Sequence, residues 1–194
     1  MKYAAIVEFS DLSEFDETRP RHREYLSGLL AQNKLFLAGG FTDRTGGIII
    51  FEADSADEVG AMLQADPFTA AGVFGPRQIR PYNAFFQSPA LLPPASITPK
   101  WAAIIEYPKE PEKIAAIRPT HRQYLASLQA EGKLPVSGPF TDDSGALIVY
   151  NAESLDAAEA LLKADPFFKA GIFMKYAIRP WGLIIGNESM YPKS

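Results

Sequence analysis

The chain repeats itself. Arg19-Pro20-Arg21-His22-Arg23-Glu24-Tyr25-Leu26 recurs as Arg118-Pro119-Thr120-His121-Arg122-Gln123-Tyr124-Leu125, and the offset of 99 residues holds without a gap from Arg19/Arg118 to Tyr82/Trp181. Of those 64 pairs, 31 are identical. The openings recur as well, residues 2–9 as residues 100–107, at an offset of 98. A duplication on this scale admits only folds that one copy of about 85–95 residues can build, a length at which a lone core is marginal. Two units are therefore expected, residues 1–87 and 100–194. Residues 88–99 join them, where four prolines make a semi-extended linker rather than a packed element.

Within each unit the pattern reads β-α-β-β-α-β. Residues 3–9 are of the aromatic and β-branched type that strands favour. Residues 19–33 read as a helix with Pro20 in its first turn. A second strand, 35–38, is broken by Gly39-Gly40, and a third, 48–51, follows the Gly46-Gly47 turn. Asp54 or Ser55 caps a second helix, with Glu58 as the acid of a capping box. Asp66-Pro67-Phe68 stops it, and the last strand lies within 73–82. The second unit gives 101–107, 118–131, 134–137, 147–150, 154–164 and a strand within 172–181. This order suits a split β-α-β, ferredoxin-like α+β unit. Its alternating directions bring three places to one end: the start of the first helix, the end of the second strand and the end of the second helix. They carry Arg19, His22, Thr42, Asp43 and Asp66 in the first unit. In the second they carry Arg118, His121, Thr141, Asp142 and Asp165.

His22 and His121 are the only histidines, and they occupy matching positions. Tyr25, Leu26 and Leu29 follow His22 at helical spacing on one face, and Tyr124, Leu125 and Leu128 follow His121 in the same way. That face must cover the sheet, so both rings point toward the rim of a core. A carboxylate beside such a ring fixes its tautomer and favours the imidazolium. This is the pairing that general acid–base chemistry uses. Each of these residues also has a plainer role open to it. An inward histidine can be a satisfied structural group. Asp66 and Asp165, each before proline, are good N-caps for a short helix, and capping does not preclude pairing. Asp43 before two glycines reads as a turn residue. Arg19 and Arg118 can hold an anion or close a salt bridge.

Composition narrows the partners. A net charge of −4 and a pI near 5.3 argue against a nucleic-acid or anionic-membrane surface. No apolar run approaches the length of a membrane span, and no basic, apolar leader opens the sequence. With no cysteine there is no disulfide and no thiolate chemistry. That suits the cytosol. One histidine per unit makes a poor metal site, so neither a metal nor a cofactor is expected.

The motifs resemble the YCII-related family. Arg-Pro-x-His-x-x-Tyr-Leu, Asn33-Lys34-Leu35 or Gly132-Lys133-Leu134, Gly39-Gly40 or Gly138-Pro139, and Asp-Pro-Phe-x-x-Ala-Gly-x-Phe at 66–74 and 165–173 carry the resemblance. It spans nearly all of both units. The resemblance implies a ferredoxin-like fold of the dimeric α/β-barrel type and a histidine–aspartate site, which falls on His22 with Asp66 and on His121 with Asp165. A few members of that family are linked to the breakdown of chlorinated hydroxylated aromatics. Gly40 departs from the proline that the family often has there.

Such sheets expose an apolar face that relatives bury by pairing two chains, and a tandem chain can pair its own two units at high effective concentration. The expectation is an intramolecular pseudo-dimer, with a further homodimer as an alternative. The function expected is an enzyme whose His–Asp pair acts on a small aromatic or enol-type substrate by elimination, isomerisation or hydrolysis. The alternatives are a small-ligand binding or regulatory module using the same pockets, and a purely structural duplication.

Overall fold

The computed structural model describes residues 1–87 and 100–186; the linker expected at 88–99 lies outside them. The chain divides into two compact units. Among described residues, unit 1 comprises 1–82 and 181–186, and unit 2 comprises 83–87 and 100–180.

In unit 1, β1 (Lys2–Phe9) leads to α1 (Phe15–Ala31), β2 (Leu35–Phe41), β3 (Gly46–Glu52), α2 (Ala56–Ala65), the single turn α3 (Pro67–Ala70) and β4 (Phe74–Tyr82). Unit 2 repeats the series. After the short β5 (Phe86–Gln87) come β6 (Lys100–Glu106), α4 (Pro111–Ala130), β7 (Val136–Pro139), β8 (Gly145–Tyr150), α5 (Leu155–Ala164), α6 (Pro166–Lys169) and β9 (Lys175–Gly186). The first six residues of β9 belong to unit 2 and the last six to unit 1.

Unit 1 has the strand order β4-β1-β3-β2 with every pairing antiparallel, the ferredoxin-like arrangement. Outside β2 lies one more antiparallel neighbour, the end of β9, with Phe41 opposite Trp181 and Leu37 opposite Gly186. In unit 2 the order is β6-β8-β7, and β5 is the neighbour outside β7, with Phe86 opposite Ser137. Each edge strand is thus completed by the extension that follows the last strand of the other sequence repeat.

Each core lies between one sheet face and its two longer helices. Leu26, Leu29, Ile49, Phe51, Val59, Leu63 and Phe68 fill the first, and Leu125, Leu128, Ile148, Tyr150, Ala158, Leu162 and Phe167 fill the second, position for position. Ser55 and Ser154 cap α2 and α5 by accepting from Glu58 N and Ala157 N, both at 3.1 Å. Two expectations about elements change. The first helix of each unit starts at Phe15 and Pro111, so Pro20 and Pro119 lie inside it rather than in its first turn. And β2 continues through Gly39-Gly40 to Phe41, because the end of β9 supplies it with a hydrogen-bonding partner there.

Candidate active site

His22 lies in the second turn of α1 on the face shared with Leu26 and Leu29, and only 7% of it is exposed. Its Nδ1 is 2.8 Å from Asp66 Oδ1 and 2.9 Å from Oδ2. In unit 2, His121 Nδ1 is 2.7 Å and 2.9 Å from the Asp165 oxygens. Asp66 and Asp165 are themselves almost fully buried. Each stands between two helices, ending α2 or α5 and capping the next turn. Asp66 Oδ1 accepts from Phe68 N at 2.9 Å, and Asp165 Oδ1 accepts from Phe167 N at 2.8 Å. The carboxylate therefore does both things its sequence position allows. It is an N-cap and the partner of the histidine.

A carboxylate only accepts, so the proton of the shared bond sits on Nδ1, and Nε2 is left as the ring's other functional atom. The ring plane is set by packing. His22 stacks on Phe68 with centroids 4.0 Å apart, and Phe74 meets it edge-on at 5.7 Å. His121 stacks on Phe167 at 3.9 Å, nearly parallel, with Phe173 edge-on at 6.2 Å. The Asp-Pro-Phe run thus supplies both carboxylate and stacking partner from one turn of helix. Two tyrosines brace the arrangement. Tyr25 donates to Met62 O at 2.8 Å and Tyr124 to Leu161 O at 2.7 Å, tying the histidine helix to the helix that ends at the aspartate. Burial, then the charges of Asp165 and Glu131, push the Tyr124 hydroxyl up to about 12, so it stays a donor at neutral pH.

In unit 2 the histidine of the pair lines a cavity of about 110 Å³ between α4, the β7–β8 hairpin and β5. His121, Arg118 and Thr141 line it, as do Tyr107, Arg122 and the rings of Phe85, Phe86, Phe140 and Phe167. Arg118 lies 3.6 Å from Asp143, which also lines the cavity. Asp142 is not among the lining residues; its carboxylate accepts from Ser144 N at 3.0 Å and from the Ser144 hydroxyl. In unit 1, Asp43 does the same for Thr45, and Thr42 is exposed. Arg19 lies 3.8 Å from Asp16, to which Arg44 also reaches at 3.0 Å. The polarity of the rim pair is thus reversed between units: the helix supplies the cation in unit 2, the turn supplies it in unit 1.

Sequence reasoning missed Tyr107, Arg122, Asp143, Phe85 and Phe86. Tyr107 differs from its counterpart Phe9 by one hydroxyl, and the two phenylalanines lie beyond the stretch over which the repeats were aligned. Among the described residues, no group of three or more His, Asp or Glu is placed to hold a metal ion, and no helix is long and apolar enough to cross a membrane.

Comparison with known proteins gives a consistent picture. The chain is 34% identical over 80 residues to protein YciI of Escherichia coli O6:H1, covering 36% of this chain and 82% of that protein. Among solved structures it is 28% identical to the 5-chloro-2-hydroxyhydroquinone dehydrochlorinase of Burkholderia phenoliruptrix AC1100, over 45% of this chain and 96% of that one, with a TM-score of 0.37. A chlorite dismutase from Candidatus Nitrospira defluvii, 14% identical, matches 95% of this chain and 91% of its own at a TM-score of 0.56, which is a likeness of fold. The YCII-related domain matches residues 1–83 and again 100–182. The chain therefore belongs to the YCII-related domain family and carries that domain twice.

Proposed function

We propose that the His22–Asp66 and His121–Asp165 pairs are acid–base dyads acting on a small molecule of aromatic or enol type. What carries this reading is the orientation of the ring in unit 2. Its Nδ1 is occupied by a buried carboxylate, while the same imidazole lines a cavity with charged and aromatic walls. Nε2 then takes a proton from an acidic C–H or O–H of the ligand, and Asp165 stabilises the imidazolium that forms. Returning the proton to another ligand atom isomerises it; delivering it to a leaving group completes an elimination. Such proton transfer contributes about 10²–10⁴-fold in rate.

Binding without turnover is the second reading. It is favoured by the capping bond to Phe167 N, which gives Asp165 a reason to be there without chemistry. The test is a screen of enolisable ring compounds for proton exchange with deuterated solvent. Wild type should exchange the reactive position of at least one. His22→Asn combined with His121→Asn should lose about 10²-fold or more. Exchange that survives in the double variant removes the dyad mechanism.

We propose further that the two repeats pair within one chain as a pseudo-dimer. In support, β2 takes its outer neighbour from the second repeat and β7 takes its own from the first.

A further inference from the structure

We propose that Tyr107 is a specificity-determining residue of the unit 2 cavity. Its hydroxyl, acting with the Arg118 guanidinium, recognises the anionic oxygen of a small planar ligand, and unit 1 has no counterpart to it. The inference deepens the acid–base reading and rests on it for the ligand's place beside His121.

The ring of Tyr107 does the same packing as that of Phe9. Phe9 lies edge-on to Phe68 at 6.1 Å and parallel to Phe74 at 6.1 Å. Tyr107 lies edge-on to Phe167 at 5.7 Å and parallel to Phe173 at 6.1 Å. A phenyl ring satisfies this core, so the hydroxyl is not there for packing. It makes no hydrogen bond among the described residues, although Tyr107 is half-buried and lines the cavity. The hydroxyl is not fully withdrawn from water, and the cavity that Tyr107 lines is where a ligand can partner it. Burial raises the phenol well above its ordinary value, the charges of Asp165 and Asp143 add to this, and Arg118 opposes it. The hydroxyl is thus a proton donor at neutral pH rather than a base.

The charges around it favour an anion. From α4 come Arg118 and Arg122; from the β7–β8 turn comes Asp143; Asp165 is engaged with His121 and Phe167 N. At 3.6 Å the Arg118–Asp143 pair is an ion pair too long for a hydrogen bond, so the guanidinium keeps donors for a ligand. Arg122 lies over the Phe85 ring at 4.7 Å. Phe85, Phe86, Phe140 and Phe167 give the cavity flat aromatic walls. Its volume, about 110 Å³, is of the order of the roughly 150 Å³ apolar cavity that takes up benzene. The ligand class that fits is a single ring bearing a carboxylate or similar oxyanion. In unit 1 the hydroxyl is missing at Phe9, Ile184 stands where Phe85 does, and Arg44 replaces Asp143, paired with Asp16 at 3.0 Å and lying over Phe15 at 4.5 Å.

Benzoate and its neutral isostere benzamide are the probes. Because there are two histidines, one per repeat, their ring NMR signals report each unit separately. Benzoate should move His121 at lower concentration than His22 and bind unit 2 about tenfold more tightly than benzamide. Tyr107→Phe and Arg118→Gln should each weaken benzoate by about tenfold while changing benzamide by less than about threefold. Tyr107→Phe keeps the fold, since Phe9 already packs that way. His121 signals that never move with benzoate, equal affinities for the two probes, or an unaltered benzoate affinity in Tyr107→Phe would each overturn the assignment. The readout is binding, so the two readings fail separately. Selectivity through Tyr107 alongside turnover that survives without both histidines sinks the dyad alone; histidine-dependent turnover without that selectivity sinks Tyr107 alone.

Discussion

At Asp165 one carboxylate serves two donors, the His121 ring and the Phe167 amide, and substitution can separate the services. Asparagine still offers an oxygen to the amide, so Asp165→Asn should unfold within about 1 kcal/mol of the parent. Asp165→Ala loses the cap and leaves a buried ring nitrogen unpaired, which costs about 2–3 kcal/mol. Urea unfolding of the two variants checks this, and equal stabilities would mean that the cap is not a real contribution. The proximity of the aspartate to the histidine was legible because both recur at one offset and the topology sends both to one end of the unit. Tyr107 was not legible, because a strand-end Phe and a strand-end Tyr obey the same hydrophobic pattern and differ by one oxygen. Nor was Asp143, which sits at φ 56° in a turn where Arg44 takes φ 59°. The backbone keeps its shape there while the charge reverses.

Periodicity marks these elements well, and glycine and proline mark them poorly. Proline commonly opens helices, so Pro20 suggested a start that the structure places at Phe15. The preceding turn is helical because Thr18 N bonds to Glu14 O at 2.9 Å and the Thr18 side chain is buried. Gly39-Gly40 suggested a strand end for a similar reason. Its actual cause is a neighbour that lies far away in sequence: a Cβ at Gly39 would overlap the indole of Trp181, and one at Gly138 would overlap the Asn83 carbonyl oxygen. These glycines are spaces rather than turns. Gly39→Ala should therefore destabilise the protein by about 1–3 kcal/mol through overpacking, and adding Trp181→Leu should return part of that loss. Thermal melts of the two single variants and the double variant measure the coupling. Strictly additive effects would mean that the indole is not what demands glycine.

For the molecule as a whole, strand order decides what a repeat can do alone. In unit 1, β4 and β2 are opposite edges of the sheet, with β1 and β3 between them. An extension that continues the last strand therefore cannot reach the second strand of its own repeat. It can complete that edge only in another copy. A chain of residues 100–194 should accordingly have an open β7 edge and an unpaired β9 end, a pairing hazard. We expect it to dimerise by reciprocal exchange or to aggregate, whereas the full chain should run at the 21.3 kDa of one molecule. Sedimentation of both measures this; a well-folded monomer of residues 100–194 would remove the exchange from the account.

The same exchange constrains the gene. Loss or gain of one repeat would shorten or lengthen the chain by one period of 99 residues. A deletion would leave one hybrid repeat with a complete histidine–aspartate pair and a strand that only a second molecule can accept. An insertion would leave a third repeat with no companion in its chain. Copy number should then be selected in pairs, so that relatives with one or three repeats would have to recover by association between chains what two repeats arrange within one.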